Sequence, residues 1–314
     1  MELGNNSSSS KSKKVLAIVL PLVFSIGLGV GAGVLINKLF LGPAVTVDYD
    51  SFSTTSYEPN VESAMEKYNA AKSRGGNYQS TMSATEMVNV GYRLYENTDN
   101  RICYQYGLVD AKVVKQTIRA VSIKVGNRYF EEQISNSWAA QVAARTFQEG
   151  DQISYYRGAN GTETTAEWNS PSESYTVEKY CEDFGRAPSV AAQLFIISDM
   201  TVNYELSSIK KEDGLYKIHL DFKVPYSVLK YVCQMKNISD LAEKPSFYSL
   251  NVDYTLDSDL MILSMVTHEH YYARTKQGVG SESTGSLEVF YYTDRNPSIP
   301  NLTDNIDYSN GRRS

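Results

Sequence analysis

Cysteine and tryptophan are scarce in this 314-residue chain, with only Cys103, Cys181, Cys233, Trp138 and Trp168. The cysteines lie far apart, so no C-x-x-C metal or redox motif exists. One disulfide with a free thiol, or three buried unpaired thiols, both fit that spacing. Either way so large a chain with so few cysteines must be held mainly by its core, which suits a bacterial surface protein better than an animal secreted one. The G-x-S-x-G nucleophile elbow, the P-loop and the Rossmann fingerprint are also missing, and no catalytic residue is assigned. Excess positive charge is missing too. The net charge is −6, and residues 1–40 carry four lysines against one glutamate, which leaves −9 for the rest. So acidic a body is not drawn to phosphates, and nucleic acid is excluded as a partner.

What the chain does have is an apolar run from Val15 to Leu41, interrupted only by Asn37 and Lys38 near its end. About 20 helical residues cross a bilayer core. Lys11, Lys13 and Lys14 precede the run, which places residues 1–14 in the cytoplasm and the C-terminal body outside the cell membrane. A cleaved signal peptide is the competing reading, but its apolar region is usually about 7–15 residues. Gly42-Pro43-Ala44 is a poor cleavage site, and no cysteine follows as a lipidation site. An uncleaved, single-pass signal-anchor over 15–41 is therefore expected. Within it, Gly27/Gly31 and Gly29/Gly33 form two G-x-x-x-G pairs, suited to contact with a partner helix or a second copy. Small residues are also common in membrane helices for no such reason.

Residues 42–60, with Pro43, Pro59 and a Ser/Thr tract, read as a linker. Val61–Lys72 is expected to be a helix broken at Arg74-Gly75-Gly76. Ser83 and Glu86 form a capping-box signature for a second helix, Ala84–Glu96. Period-two alternation then begins. Val121–Val125 turns at Gly126-Asn127 into Tyr129–Ile134, Trp138–Phe147 is ambiguous, and Ile153–Arg157 is a strand. Short helices are expected at Thr176–Phe184 and Ser189–Ile197. Val202, Tyr204 and Leu206 alternate, Glu212-Asp213-Gly214 turns, and Tyr216 to Val224 alternates back, so a hairpin is expected. Pro225 opens a helix over Tyr226–Lys236. Strands follow at Tyr248–Leu256 and Leu260–Ala273, then a Gly/Ser loop over Gly278–Gly285 and a last strand at Leu287–Tyr292. The 24 tyrosines suit half-buried strands with wet hydroxyls. The polar tail is expected to be disordered over 294–314. The fold class is α+β, a curved antiparallel, half-barrel-like sheet covered by a few helices over 61–293.

The helix Ala84–Glu96, the strands Thr117–Lys124 and Tyr129–Glu132, and the segment Ala187–Val202 together carry a resemblance. The chain resembles membrane-anchored or lipidated surface proteins of Gram-positive bacteria whose ectodomain has the LolA/LppX lipoprotein-carrier fold. The resemblance implies a hydrophobic cavity between sheet and helices that binds a lipid or another apolar molecule. Tyr204, Leu206, Ile218, Leu220, Phe222, Leu250 and Val252 would line it, although the same alternation also fits a dry core. The alternative function is a non-enzymatic interaction or sensory ectodomain with a membrane or cell-wall partner.

No cofactor or metal is expected. His268-Glu269-His270 puts two imidazoles on one strand face, but a zinc site would need further ligands, such as the distant His219. Asp257 and Asp259 read as turn formers. Asn160, Asn237 and Asn301 begin glycosylation patterns that matter only in a eukaryotic host.

Overall fold

The computed structural model describes residues 60–111, 115–138, 141–169, 172–184, 197, 199–222, 246–274 and 280–313. The expected membrane span, the helix at 226–236, and all but the last residues of the linker and of the helix at 189–197 lie outside them. No helix among the described residues is long and apolar enough to cross a membrane.

Helix α1 (Val61–Lys72) starts at Asn60, whose side chain accepts from Ser63 N at 2.9 Å. It ends before Gly75 and Gly76, whose φ values of 99° and 77° suit glycine alone. Helix α2 (Ala84–Glu96) has both halves of its capping box: Glu86 N donates to Ser83 Oγ, and Ser83 N donates to Glu86 Oε2. Its buried face carries Met87, Val88, Val90, Tyr92 and Tyr95.

The strands are β1 (Asn100–Asp110), β2 (Lys115–Val125), β3 (Arg128–Ser137), β4 (Gln141–Glu149), β5 (Gln152–Ala159), β6 (Glu167–Trp168) and β7 (Glu173–Thr176). After α3 (Val177–Phe184) come β8 (Ser208–Glu212), β9 (Leu215–Asp221), β10 (Ser246–Leu256), β11 (Ile262–Arg274) and β12 (Gly280–Tyr292). They form one curved antiparallel sheet in the order β6-β5-β4-β3-β2-β1-β12-β11-β10-β9-β8, with β7 also on β5. Two meanders thus meet where β1 pairs with β12, near the middle of the sheet.

Helix α2 covers the inner face of β10 and β11. There Tyr216, Ile218, Leu220, Leu250, Val252, Tyr254, Met265 and Val289 join the α2 side chains in one core. Tyr92 meets Tyr254 and Tyr291 edge-on at 6.2 Å, a favoured geometry for aromatic pairs. Many tyrosines are therefore fully buried instead of half-wet; burial pushes the Tyr92, Tyr254 and Tyr291 hydroxyls far up from their ordinary pKa.

Five expectations change. Val202, Tyr204 and Leu206 are not a strand. Asp213 and Gly214, with φ of 52° and 79°, make a tight turn, and the pairing they set reaches back only to Ser208. Before that, Leu206 N turns onto Asn203 O, and Val202 keeps a single bridge to Phe222. The ambiguous Trp138–Phe147 segment resolves as strand β4 from Gln141. The Gly/Ser segment is strand from Gly280, because β1 and β11 offer backbone partners on both sides whatever the side chains. Tyr248 leaves the inner face, because a β-bulge between Phe247 and Ser249 inserts one residue.

The tail is the largest correction. Instead of being disordered, residues 296–313 run over the outer face, on a second apolar cluster of Ile102, Tyr106, Val121, Ile123, Phe130 and Tyr292. Tyr308 is buried there, with Ile299 and Ile306 packed alongside. A side chain that inserts so deeply is invisible to a reading that weighs only local polarity.

Candidate surface groove

The groove lies on the outer face, across strands β1, β12, β11 and β10. It has a volume of about 320 Å³ and is lined by Leu108, Asp110, Ser249, His268, Glu269, Thr284, Gly285 and Ser286. Two cross-strand rows build it. Leu108 pairs with Ser286, which pairs with His268; Asp110 pairs with Thr284, which pairs with His270, which pairs with Ser249. Successive side chains alternate faces, so the outward lining residues are Leu108 and Asp110 from β1, Thr284 and Ser286 from β12, His268 from β11 and Ser249 from β10. Four strands at about 4.8 Å spacing span roughly 14 Å.

The lining is polar and the rim carries exposed apolar surface. Lys115 holds the Asp110 carboxylate at 3.0 Å. Leu108 is 48% exposed and Tyr248 55% exposed. The bulge that turns Tyr248 outward sets its ring 4.7 Å from that of His270, while His270 Nε2 sits 2.8 Å from Glu282 Oε1. The imidazole is thus fixed on one face by an aromatic ring and on one edge by a carboxylate.

All three histidines of the chain lie on this outer face. His219 pairs across strands with Asp253 and reaches its carboxylate at 2.7 Å; His268, diagonal to Asp253, lies 3.9 Å from the other oxygen. His268 and His270 do share one strand face, but each leans on a different carboxylate. No group of three or more His, Cys, Asp or Glu among the described residues is placed to hold a metal ion.

Among the described residues the expected cavity lining divides into a buried and an exposed set. Ile218, Leu220, Phe222, Leu250 and Val252 lie in the core that α2 packs against. Tyr204 and Leu206 are 44% and 62% exposed, and the Tyr204 hydroxyl donates to Asp199 instead. Burial alone would raise the Asp199 carboxyl, but hydrogen bonds from Thr85, Tyr204 and Ser83 outweigh it and hold the group below the usual carboxylate range. Further along the inner face the lining turns polar, with Gln116, Gln133 and Ser135 all buried. Gly27, Gly29, Gly31 and Gly33 lie outside the described residues. Cys103 and Cys181 are free thiols; burial pushes the Cys103 thiol up to about 12, so it is no nucleophile.

Sequence reasoning found His268 and His270 from their alternation and missed Leu108, Asp110, Tyr248, Thr284 and Ser286. Only strand pairing between residues far apart in the chain assembles those, and no local pattern announces it.

No family model and no curated protein matches the chain. Among solved structures, LprF from Mycobacterium bovis is similar with 10% identity and a TM-score of 0.31, over 69% of this chain and 96% of that one. A DUF1329 family protein from Desulfovibrio piger is similar with 9% identity and a TM-score of 0.22, over 68% of this chain and 93% of that one. Likenesses this distant carry no argument about what the groove or the inner face does.

Proposed function

We propose that the chain is a membrane-anchored extracytoplasmic protein that works by binding an envelope partner through the outer face of its sheet. Residues 15–41 serve as the anchor, 42–60 as the tether, and the paired glycines 27/31 and 29/33 as a seat for another membrane helix. One observation carries the reading: the outer face offers a solvent-open groove, while five of the seven residues expected to line an inner cup are buried in the apolar core cluster that also holds the α2 side chains. The acidic body favours neutral or basic partners over anionic ones.

A lipid or other hydrophobic ligand between sheet and helices is the second reading. Its support is the apolar inner face of β9 and β10, where Ile218, Leu220, Leu250 and Val252 are all buried. The buried Gln116, Gln133 and Ser135 weigh against it, because an apolar occupant satisfies no amide or hydroxyl.

The full chain in lipid nanodiscs tests both, with discs that carry residues 1–60 alone as the blank. The interaction reading expects retention on delipidated wall material and no uptake of a fluorescent fatty acid beyond the blank. Saturable, stoichiometric fatty-acid uptake would overturn it in favour of the carrier. Loss of self-association or partner capture when Gly29 and Gly31 become Leu tests the helix seat, and unchanged association removes it.

A further inference from the structure

We propose that the outer-face groove is a saccharide-binding site, with the Tyr248 ring as its stacking platform. The inference rests on the interaction reading above and names the chemical class of its partner. Sugars present two kinds of surface: a C–H face that packs on an aromatic ring, and a rim of hydroxyls that exchanges hydrogen bonds with carboxylates, imidazoles and hydroxyls. The groove and its border offer both. Leu108 in the lining and Tyr248, which stands beside the lining residue Ser249 and against the His270 ring, supply exposed apolar surface, and Asp110, His268, Thr284 and Ser286 supply donors and acceptors.

The platform is built and held. A bulge spends one extra residue to turn Tyr248 away from the core, and bulges are enriched where a side chain is re-aimed near a site. His270, braced by Glu282 at 2.8 Å, lies against the ring. A side chain backed this way loses little freedom when a ligand stacks on it. The volume, about 320 Å³, is at the small end of ligand sites and suits one or two sugar units of a longer chain.

Other occupants fit worse. A peptide that adds itself as a strand needs a free sheet edge, but β1, β10, β11 and β12 each have a strand on both sides. An acyl chain would cover the hydroxyls of Thr284 and Ser286 and take the Asp110–Lys115 pair out of water without offering any of them a hydrogen bond. An anionic polymer meets the negative body. A neutral saccharide meets none of these objections.

Saturation-transfer NMR on the full chain in nanodiscs, with chitotetraose, cellotetraose and maltotetraose as probes, tests the site. At least one probe is expected to give saturable transfer. Tyr248→Ala should weaken it roughly tenfold, the scale of one aromatic contact. Tyr248→Phe, which keeps the ring, should retain binding, and Leu206→Ala, an exposed residue outside the groove, should leave it unchanged. No saturable transfer from any probe overturns the proposal, as does binding that Tyr248→Ala and Leu206→Ala affect alike. If the sugars fail while retention on wall material persists in Tyr248→Ala, the saccharide site falls and the interaction reading stands. If fatty-acid uptake appears instead, the interaction reading falls as well.

Discussion

Arg145 is among the most deeply buried large side chains in the molecule, and what surrounds it explains how an ion pair survives there. Its guanidinium donates to Glu132, to Leu302 O, and to Asp304 O at 2.6 Å, and it lies 4.4 Å from the Trp168 ring. Glu132 takes a further hydrogen bond from the Tyr308 hydroxyl at 2.9 Å. Burial pushes the Glu132 carboxyl up, and Arg145 opposes that shift. Charges taken out of water are tolerated only when all their valences are met, and removal of one partner strands the other. Arg145→Met is therefore expected to cost about 3–5 kcal/mol in a urea unfolding titration at neutral pH. The cost should depend on pH in a definite direction. Without Arg145 the folded-state pKa of Glu132 rises further above its unfolded value. The penalty is then absent below the unfolded value and grows as pH rises through the folded one. Lowering the pH towards about 4.3 should thus narrow the gap to the wild type. Adding Glu132→Gln should recover part of the loss at neutral pH. An Arg145→Met variant within about 1 kcal/mol of wild type would show that the pair is not buried as described.

Helix α2 seats itself through an absence. A Cβ at Gly91 would lie 2.7 Å from Leu260 O and 3.1 Å from Leu256 Cδ2, so only glycine lets the helix reach the β10–β11 turn. That turn is itself unusual: Leu260 is fully buried at φ 66°, held while Asp257 Oδ1 accepts from Asp259 N and Met261 N. Helix propensity alone says Gly91→Ala should gain about 1 kcal/mol. Overpacking against backbone costs about 1–3 kcal/mol. The second effect should win, because a carbonyl in a strained turn cannot give way as a flexible side chain would. A lower urea midpoint for Gly91→Ala is the expected result, and a higher one would mean that the helix sits further from the turn. The start of α2 and the end of α1 were legible in the sequence because these signals are local: Ser83 and Glu86 act on the first turn of α2, and Gly75-Gly76 stop α1. The β2–β3 and β8–β9 turns were legible for the same reason. The strand at Gly280–Gly285, the Tyr248 bulge and the failed strand at Val202–Leu206 were not. Each depends on what the neighbouring strand offers, and that neighbour is not in the local sequence. The groove was hidden more deeply, since four strands must pair before its lining exists at all.

At the scale of the whole molecule, two meanders share one sheet, and the chain closes it from both sides. α1 and α2 come first and cover the inner face; the last residues come back over the outer face of the first meander. That strap is what turns β1 to β4 from a one-sided strand set into a two-sided core. It is fastened along its length. Tyr106 donates to Tyr308 O, Tyr292 Oη donates to Gly311 O at 3.2 Å, and Arg312 pairs with Glu288 at 2.8 Å. Gly311 packs so closely on the Tyr104 and Tyr106 rings that no Cβ fits. Removing residues 296–314 should uncover Val121, Ile123 and Phe130 and leave the Glu132–Arg145 pair without Tyr308 and the two carbonyls. Each large apolar side chain returned to water costs about 1.5–3 kcal/mol, and Tyr308 and Ile306 are lost as packing partners as well. The truncated chain should therefore lose at least about 3 kcal/mol and bind more of an apolar dye than the intact chain does, since exposed apolar patches of this kind recruit partners. Gly311→Ala checks the same strap with every residue present: its Cβ has to displace the strap from the tyrosine rings, so dye binding should rise with little change in chain length or charge. If truncation and Gly311→Ala both leave stability and dye binding untouched, the tail does not close the second core, and β1 to β4 must be stabilised on that face by something else.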